Sequence, residues 1–179
     1  MTLTALHHVE MCVGNGRNMV SYFSQKLGFS LRAVRETEHS LQWVVGSNKA
    51  AFVITERLDK VSTDPHFLAP FSSFCCPDSD SHSIDSVFNV ALEVKNLDRV
   101  TEEMCAIGGR LFQPVTVVED ETGSVRYSIV GSCCGNVCHT LLDKSAYRGQ
   151  FLPTFDSVNN NEGSMPEPFT HGRYLIGNN

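Results

Sequence analysis

The stretch from Leu6 to Phe29 is largely written twice in this chain, and the repeat limits the fold more than any other feature. Val9 recurs as Val90, Val13 as Val94, Asn15 as Asn96 and Gly28 as Gly109, all at a shift of 81 positions. A period near 80 residues, present twice, means two tandem supersecondary modules and not a solenoid of short repeats. A chain of 179 residues has room for such a pair, or for one domain with a sizeable core.

Each copy reads the same way. Leu6 to Val13 is a short apolar run closed by Gly14-Asn15-Gly16, which predicts a buried strand. Asn15 or Asn18 can cap the helix that follows. Its stripe is Met19, Phe23 and Leu27, and Gly28 ends it in the left-handed region. Leu31 to Glu36, Leu41 to Val45 and Ala50 to Thr55 then read as three strands in a meander. In the second copy, Val87 to Val94 is the strand, and Asn96 or Asp98 caps the helix. Val100, Met104 and Ile107 form its stripe, and Gly108-Gly109 stop it. Leu111 to Val118 and Ser124 to Val130 make a hairpin, and Val137 to Leu142 is the last strand. The fold class is therefore α+β, with two tandem βαβββ modules at residues 5–58 and 87–145. Residues 59–86, rich in Pro, Ser and Asp, read as a linker. Residues 146–179 lack periodicity and read as an extended, loosely ordered tail.

Composition narrows the chemistry. Hydrophobic residues make up 41% and charged residues 19%, a globular balance, and the formal charge of −6 argues against nucleic acid as a partner. No apolar run reaches the length of a membrane span, and the first residues do not resemble a secretory or transit peptide, so the expected location is cytoplasmic. Seven cysteines, two pairs of them adjacent, suit neither an extracellular disulfide framework nor a zinc site. Gly14-x-Gly16 lacks the rest of a phosphate loop.

Three segments carry a resemblance. They are Leu6-His7-His8-Val9-Glu10, Asn89-Val90-Ala91-Leu92-Glu93-Val94, and His139-Thr140-Leu141-Leu142-Asp143-Lys144 running into Tyr147-Arg148-Gly149-Gln150-Phe151-Leu152-Pro153. In this order and spacing the chain resembles the N-terminal half of the 4-hydroxyphenylpyruvate dioxygenase and dioxygenase-like family, within the vicinal oxygen chelate superfamily. The resemblance implies a family reaction in tyrosine metabolism: Fe(II)-dependent oxidative decarboxylation and hydroxylation of an aromatic 2-oxo acid. It also implies that the iron ligands, two histidines and a glutamate, belong to a C-terminal half. Tyr174-Leu175-Ile176-Gly177-Asn178 is similar to the entry into that half, with Tyr174 where its first iron-binding histidine would stand. The expectation is a truncated form with the catalytic half absent, binding no iron by itself and inactive alone.

In the superfamily, ligands come from the first and last strands of each module. By the internal alignment those positions are His8, Phe52 or Val53, Asn89, and His139 or Thr140. His8 and His139 are thus the candidate metal ligands, without a carboxylate to join them. The competing reading makes both of them partly buried histidines bonded to backbone or to each other. Strand alternation predicts that His7 and His8 face opposite sides, as do Cys138 and His139, which argues against a Cys-His nucleophile. Glu10 and Glu93 are expected at the surface or an edge. Two other functions are open: a non-catalytic module that forms a homodimer or pairs with a full-length relative, and a stand-alone glyoxalase-type enzyme using His8 and His139 across a dimer.

Overall fold

A computed structural model describes residues 3–37, 40–58, 85–133 and 137–158. The first module runs β1 (Leu3–Val13), α1 (Gly16–Leu27), β2 (Ser30–Glu36), β3 (Ser40–Ser47) and β4 (Ala50–Arg57). The second runs β5 (Ser86–Val94), α2 (Leu97–Ala106), β6 (Leu111–Asp120), β7 (Gly123–Gly131) and β8 (Cys138–Asp143), followed by a two-residue strand, β9 (Asp156–Ser157). The nine strands among the described residues share one sheet, ordered β6-β7-β8-β5-β1-β4-β3-β2-β9. Each module is thus a βαβββ unit whose first strand lies parallel to its last, β1 beside β4 and β5 beside β8. Most of the linker stretch, and the tail beyond Val158, lie outside the described residues.

The modules meet along β1 and β5, which pair antiparallel with Val9 directly opposite Val90. Those two residues are partners in the sequence repeat. Glu10 faces Asn89 and His8 faces Ala91, so the shift of 81 appears in space as a local two-fold axis through the Val9–Val90 pair.

Strand alternation sorts the side chains onto two faces. On one face α1 packs its Val20 and Phe23 against Val13, Trp43, Val45 and Ile54. In the second module α2 sets Leu97 and Val100 against Val94, Val130 and Leu141 on that same face. The opposite face, which no helix covers among the described residues, carries Ala91, Tyr127, Ile129, Cys138 and Leu142 from the second module and Ala33, Val44 and Val53 from the first.

The helix stripes need one correction. Met19 is partly buried and Phe23 buried, but Leu27 is exposed, and Ile107, just after α2, is 81% exposed. Met19, Phe23 and Leu27 are spaced by four and drift by about 40° per step on a helix of 3.6 residues per turn, so Leu27 rotates out of the groove. Ile107 lies past the last turn of α2, as its C-cap residue. The caps also diverge between the copies. Asn15 accepts a hydrogen bond from the Asn18 amide at 2.9 Å, whereas Asn96 sits at φ 55° and makes no side-chain cap.

The expected loose tail is a correction too. Residues 145–158 are folded, with Leu152 buried and β9 paired to β2 through Ala33–Ser157 and Val34–Asp156. Their partners lie in both modules, far away in sequence, so no local periodicity signals them.

Candidate functional site

The helix-free face of β1 holds His8 and Glu10, and both are buried, at 3% and 1% exposure. The expected surface position for Glu10 is therefore wrong. Its carboxylate lies at the centre of a polar network drawn from six strands, β1 to β5 and β8. Gln42 Nε2 donates to Glu10 Oε1 at 2.9 Å, Thr55 Oγ1 to the same oxygen at 2.7 Å, and Asn89 Nδ2 to Oε2 at 3.1 Å. On the far side of Asn89, its Oδ1 accepts from the Thr140 amide and hydroxyl, each at 3.1 Å. Arg35 Nε donates to Gln42 Oε1 at 2.6 Å, which fixes the orientation of that amide. A buried guanidinium and a buried carboxylate are thus joined through one glutamine. Burial lowers the Arg35 pKa to about 10, against the pull of Glu10, so the cation persists at neutral pH.

His7 also reaches this face, contrary to simple alternation. Leu6 pairs with Leu92 and His8 with Ala91, so two residues of β1 advance against one of β5 and His7 is the extra residue of a β-bulge. Its ring lies beside that of His8, Nδ1 to Nδ1 at 2.7 Å, and both rings pack on Phe151. Lys144 Nζ lies 3.0 Å from His7 Nε2. An ammonium only donates, which assigns the His7 proton to Nδ1 and makes His8 Nδ1 the acceptor. Burial, with Lys144 and each other as smaller causes, holds His7 at about 2; burial, Lys144 and Arg35 hold His8 at about 3. Both imidazoles are neutral.

His139 is elsewhere. Its neighbours Cys138 and Thr140 face the network, so alternation places His139 with Leu141 on the helix side, where its Nδ1 lies 3.3 Å from the Val90 carbonyl oxygen. His8 and His139 do not share a cavity. The four inward-facing positions that correspond to superfamily ligand positions are His8, Val53, Asn89 and Thr140. One imidazole, a valine, an amide engaged on both sides and a threonine do not fit an iron(II) ion, which wants a facial set of histidines and a carboxylate. Glu10 cannot supply the missing group, since three donors already occupy it. Among the described residues no group of three or more His, Cys, Asp or Glu side chains could hold a metal ion. Cys138 is no nucleophile either: burial, then Glu10, pushes its thiol up to about 12.

Sequence reasoning missed Glu10 and Arg35 as site residues. The available signal was parity. Glu10 is two residues from His8 inside an apolar run, and Arg35 is two from Ala33.

No family model matches the chain. The 4-hydroxyphenylpyruvate dioxygenase-like protein of Rattus norvegicus is 31% identical over 154 residues, covering 84% of this chain and 38% of its own length. The 4-hydroxyphenylpyruvate dioxygenase of Neurospora crassa is 32% identical over 160 residues, covering 83% of this chain and 38% of its own. This chain therefore spans about four-tenths of these curated relatives. Among solved structures, a mutant 4-hydroxymandelate synthase from Streptomyces coelicolor superimposes with a TM-score of 0.70 at 17% identity, over 92% of this chain and 44% of that one.

Proposed function

The chain belongs to the family of 4-hydroxyphenylpyruvate dioxygenases and their like proteins, within the vicinal oxygen chelate superfamily, and we propose that it serves as the metal-free half of such a protein. The family reaction under this reading is iron(II)-dependent oxidative decarboxylation and hydroxylation of an aromatic 2-oxo acid in tyrosine catabolism. The iron and that substrate are held by residues outside this chain. The chain alone is inactive.

One observation carries the reading. The face that would have to cradle a metal offers His8 as its sole ligand-type residue at the four relevant positions, and the Glu10 network fills the space beside it. Those groups are satisfied within the protein, which suits a structural half better than a catalytic one. No helix among the described residues is long and apolar enough to cross a membrane. A cytoplasmic site of action is part of the proposal.

The test is direct. Purified chain incubated with 4-hydroxyphenylpyruvate, iron(II) and ascorbate should consume no oxygen above the protein-free rate. Turnover above that rate overturns the reading.

A second reading has its own support. β6 ends the sheet, so its outer edge meets no strand among the described residues, and Val117 on it is 56% exposed. Association through this edge, with a second copy or a full-length relative, would let the chain act without catalysis. A strictly monomeric chain that does not co-purify with a full-length relative would remove it.

A further inference from the structure

We infer that residues 145–158 form a clasp that fastens the two modules together across the helix-free face, and that this face becomes accessible only when the clasp lifts. The inference is independent of the chemistry proposed above.

The segment is anchored at both ends, each end on a different module. At its start Gly123 and Tyr147 form a bridge, the Ser124 amide donates to the Ala146 carbonyl at 3.2 Å, and Tyr147 Oη donates to Asp120 at 3.0 Å. These contacts fix it to the β6–β7 hairpin of the second module. At its end, β9 pairs with β2 of the first module, and the Val158 amide donates to the Arg32 carbonyl at 2.8 Å. Between the anchors Phe151 and Phe155 stack edge to face at 5.1 Å and reach down onto the sheet. The same two rings pack against the second module's cluster of Ala91, Tyr127, Ile129 and Leu142 and the first module's cluster of Ala33, Val44 and Val53. On the helix side, by contrast, the two modules keep separate clusters. Beneath the rings lie His7, His8 and Arg35, the last 4.4 Å from the Phe155 centroid. A ligand for this face would have to displace the clasp first.

The clasp also carries strain. Thr154 has φ 72°, a region that a β-branched residue rarely enters. It is held there between Leu152, which is buried, and β9, with its hydroxyl 3.3 Å from Arg35 Nη1. Strain of this kind persists only where the surroundings overdetermine it, and it leaves the segment closer to opening than its packing alone would.

Hydrogen exchange on the intact chain tests the clasp from both directions. In Phe151→Ala/Phe155→Ala the amides of residues 155–158 should exchange at least tenfold faster. Those along the β1–β5 seam should accelerate with them, while α1 stays unchanged. In Thr154→Gly, which keeps both rings and relieves the strain, the same two sets should slow severalfold. Should the double variant fail to fold, Thr154→Gly decides alone. A clasp whose amides respond in either variant while the seam amides do not is a passive cover, and the inference fails. It fails equally if neither set responds.

Discussion

Asn89 Nδ2 donates to Glu10 Oε2 at 3.1 Å, and this bond joins the two modules at residues that face each other across β1 and β5. The repeat makes the surroundings unequal. The position of Glu10 in the first copy is taken by Ala91 in the second, and His8 by Asn89. A buried carboxylate with three donors therefore stands on one side of the axis and an apolar cluster on the other. The site is asymmetric although the strand plan of the two modules is the same.

Removing Glu10 alone takes the acceptor from Thr55 and Asn89, leaves Gln42 Nε2 only its 3.0 Å bond to Thr55 Oγ1, and removes the carboxylate that favours the Arg35 charge. Glu10→Ala should cost about 3–5 kcal/mol, as for one partner of a buried ion pair. Replacing both ends by apolar residues, in Glu10→Leu/Arg35→Met, should recover most of that loss. Urea unfolding of the three variants measures both effects.

Acid should weaken the fold through His7 and His8. The folded-state values, about 2 and about 3, lie far below the 6.5 of the free imidazole. Well above pH 6.5 neither state is protonated at these positions, so their contribution to stability is complete. As pH falls below 6.5 the unfolded chain binds protons that the folded chain refuses, and each histidine costs about 1.4 kcal/mol per pH unit. The pair should remove about 3 kcal/mol between pH 7.5 and 5.5. Urea midpoints at the two pH values check this, and His7→Gln should reduce the slope by about half.

The two helix caps give a sharper comparison. Asn15→Ala removes a cap bond and should cost about 1 kcal/mol. Asn96→Gly removes no side-chain bond and suits φ 55°, so it should stay within about 0.5 kcal/mol of neutral. Thermal melts of the two variants report the divergence of the copies.

Gly16 is a packing requirement and not a turn preference. A Cβ there would overlap the ring of Trp43, itself fully buried. Gly16→Ala should therefore destabilise by about 1–3 kcal/mol through overpacking, despite a better helix propensity. Its unfolding midpoint is the readout.

The repeat of Val9 in Val90 made the module plan and the seam legible, because hydrophobic period and turn glycines are local signals. What escaped was non-local. The bulge that turns His7 inward depends on register against β5. The burial of Glu10 depends on partners from β3, β4 and β5, and the order of residues 145–158 depends on surfaces supplied by both modules. His139 was misplaced as a companion of His8 because the alignment left open whether it or Thr140 faces inward, and Asn89 binding Thr140 answers that.

Iron(II) binding tests the central claim most directly. Equilibrium dialysis of the purified chain against iron(II) under anaerobic conditions, followed by elemental analysis, should give far less than one iron per chain and an unchanged melting temperature. One iron per chain, lost in His8→Ala, would contradict the account.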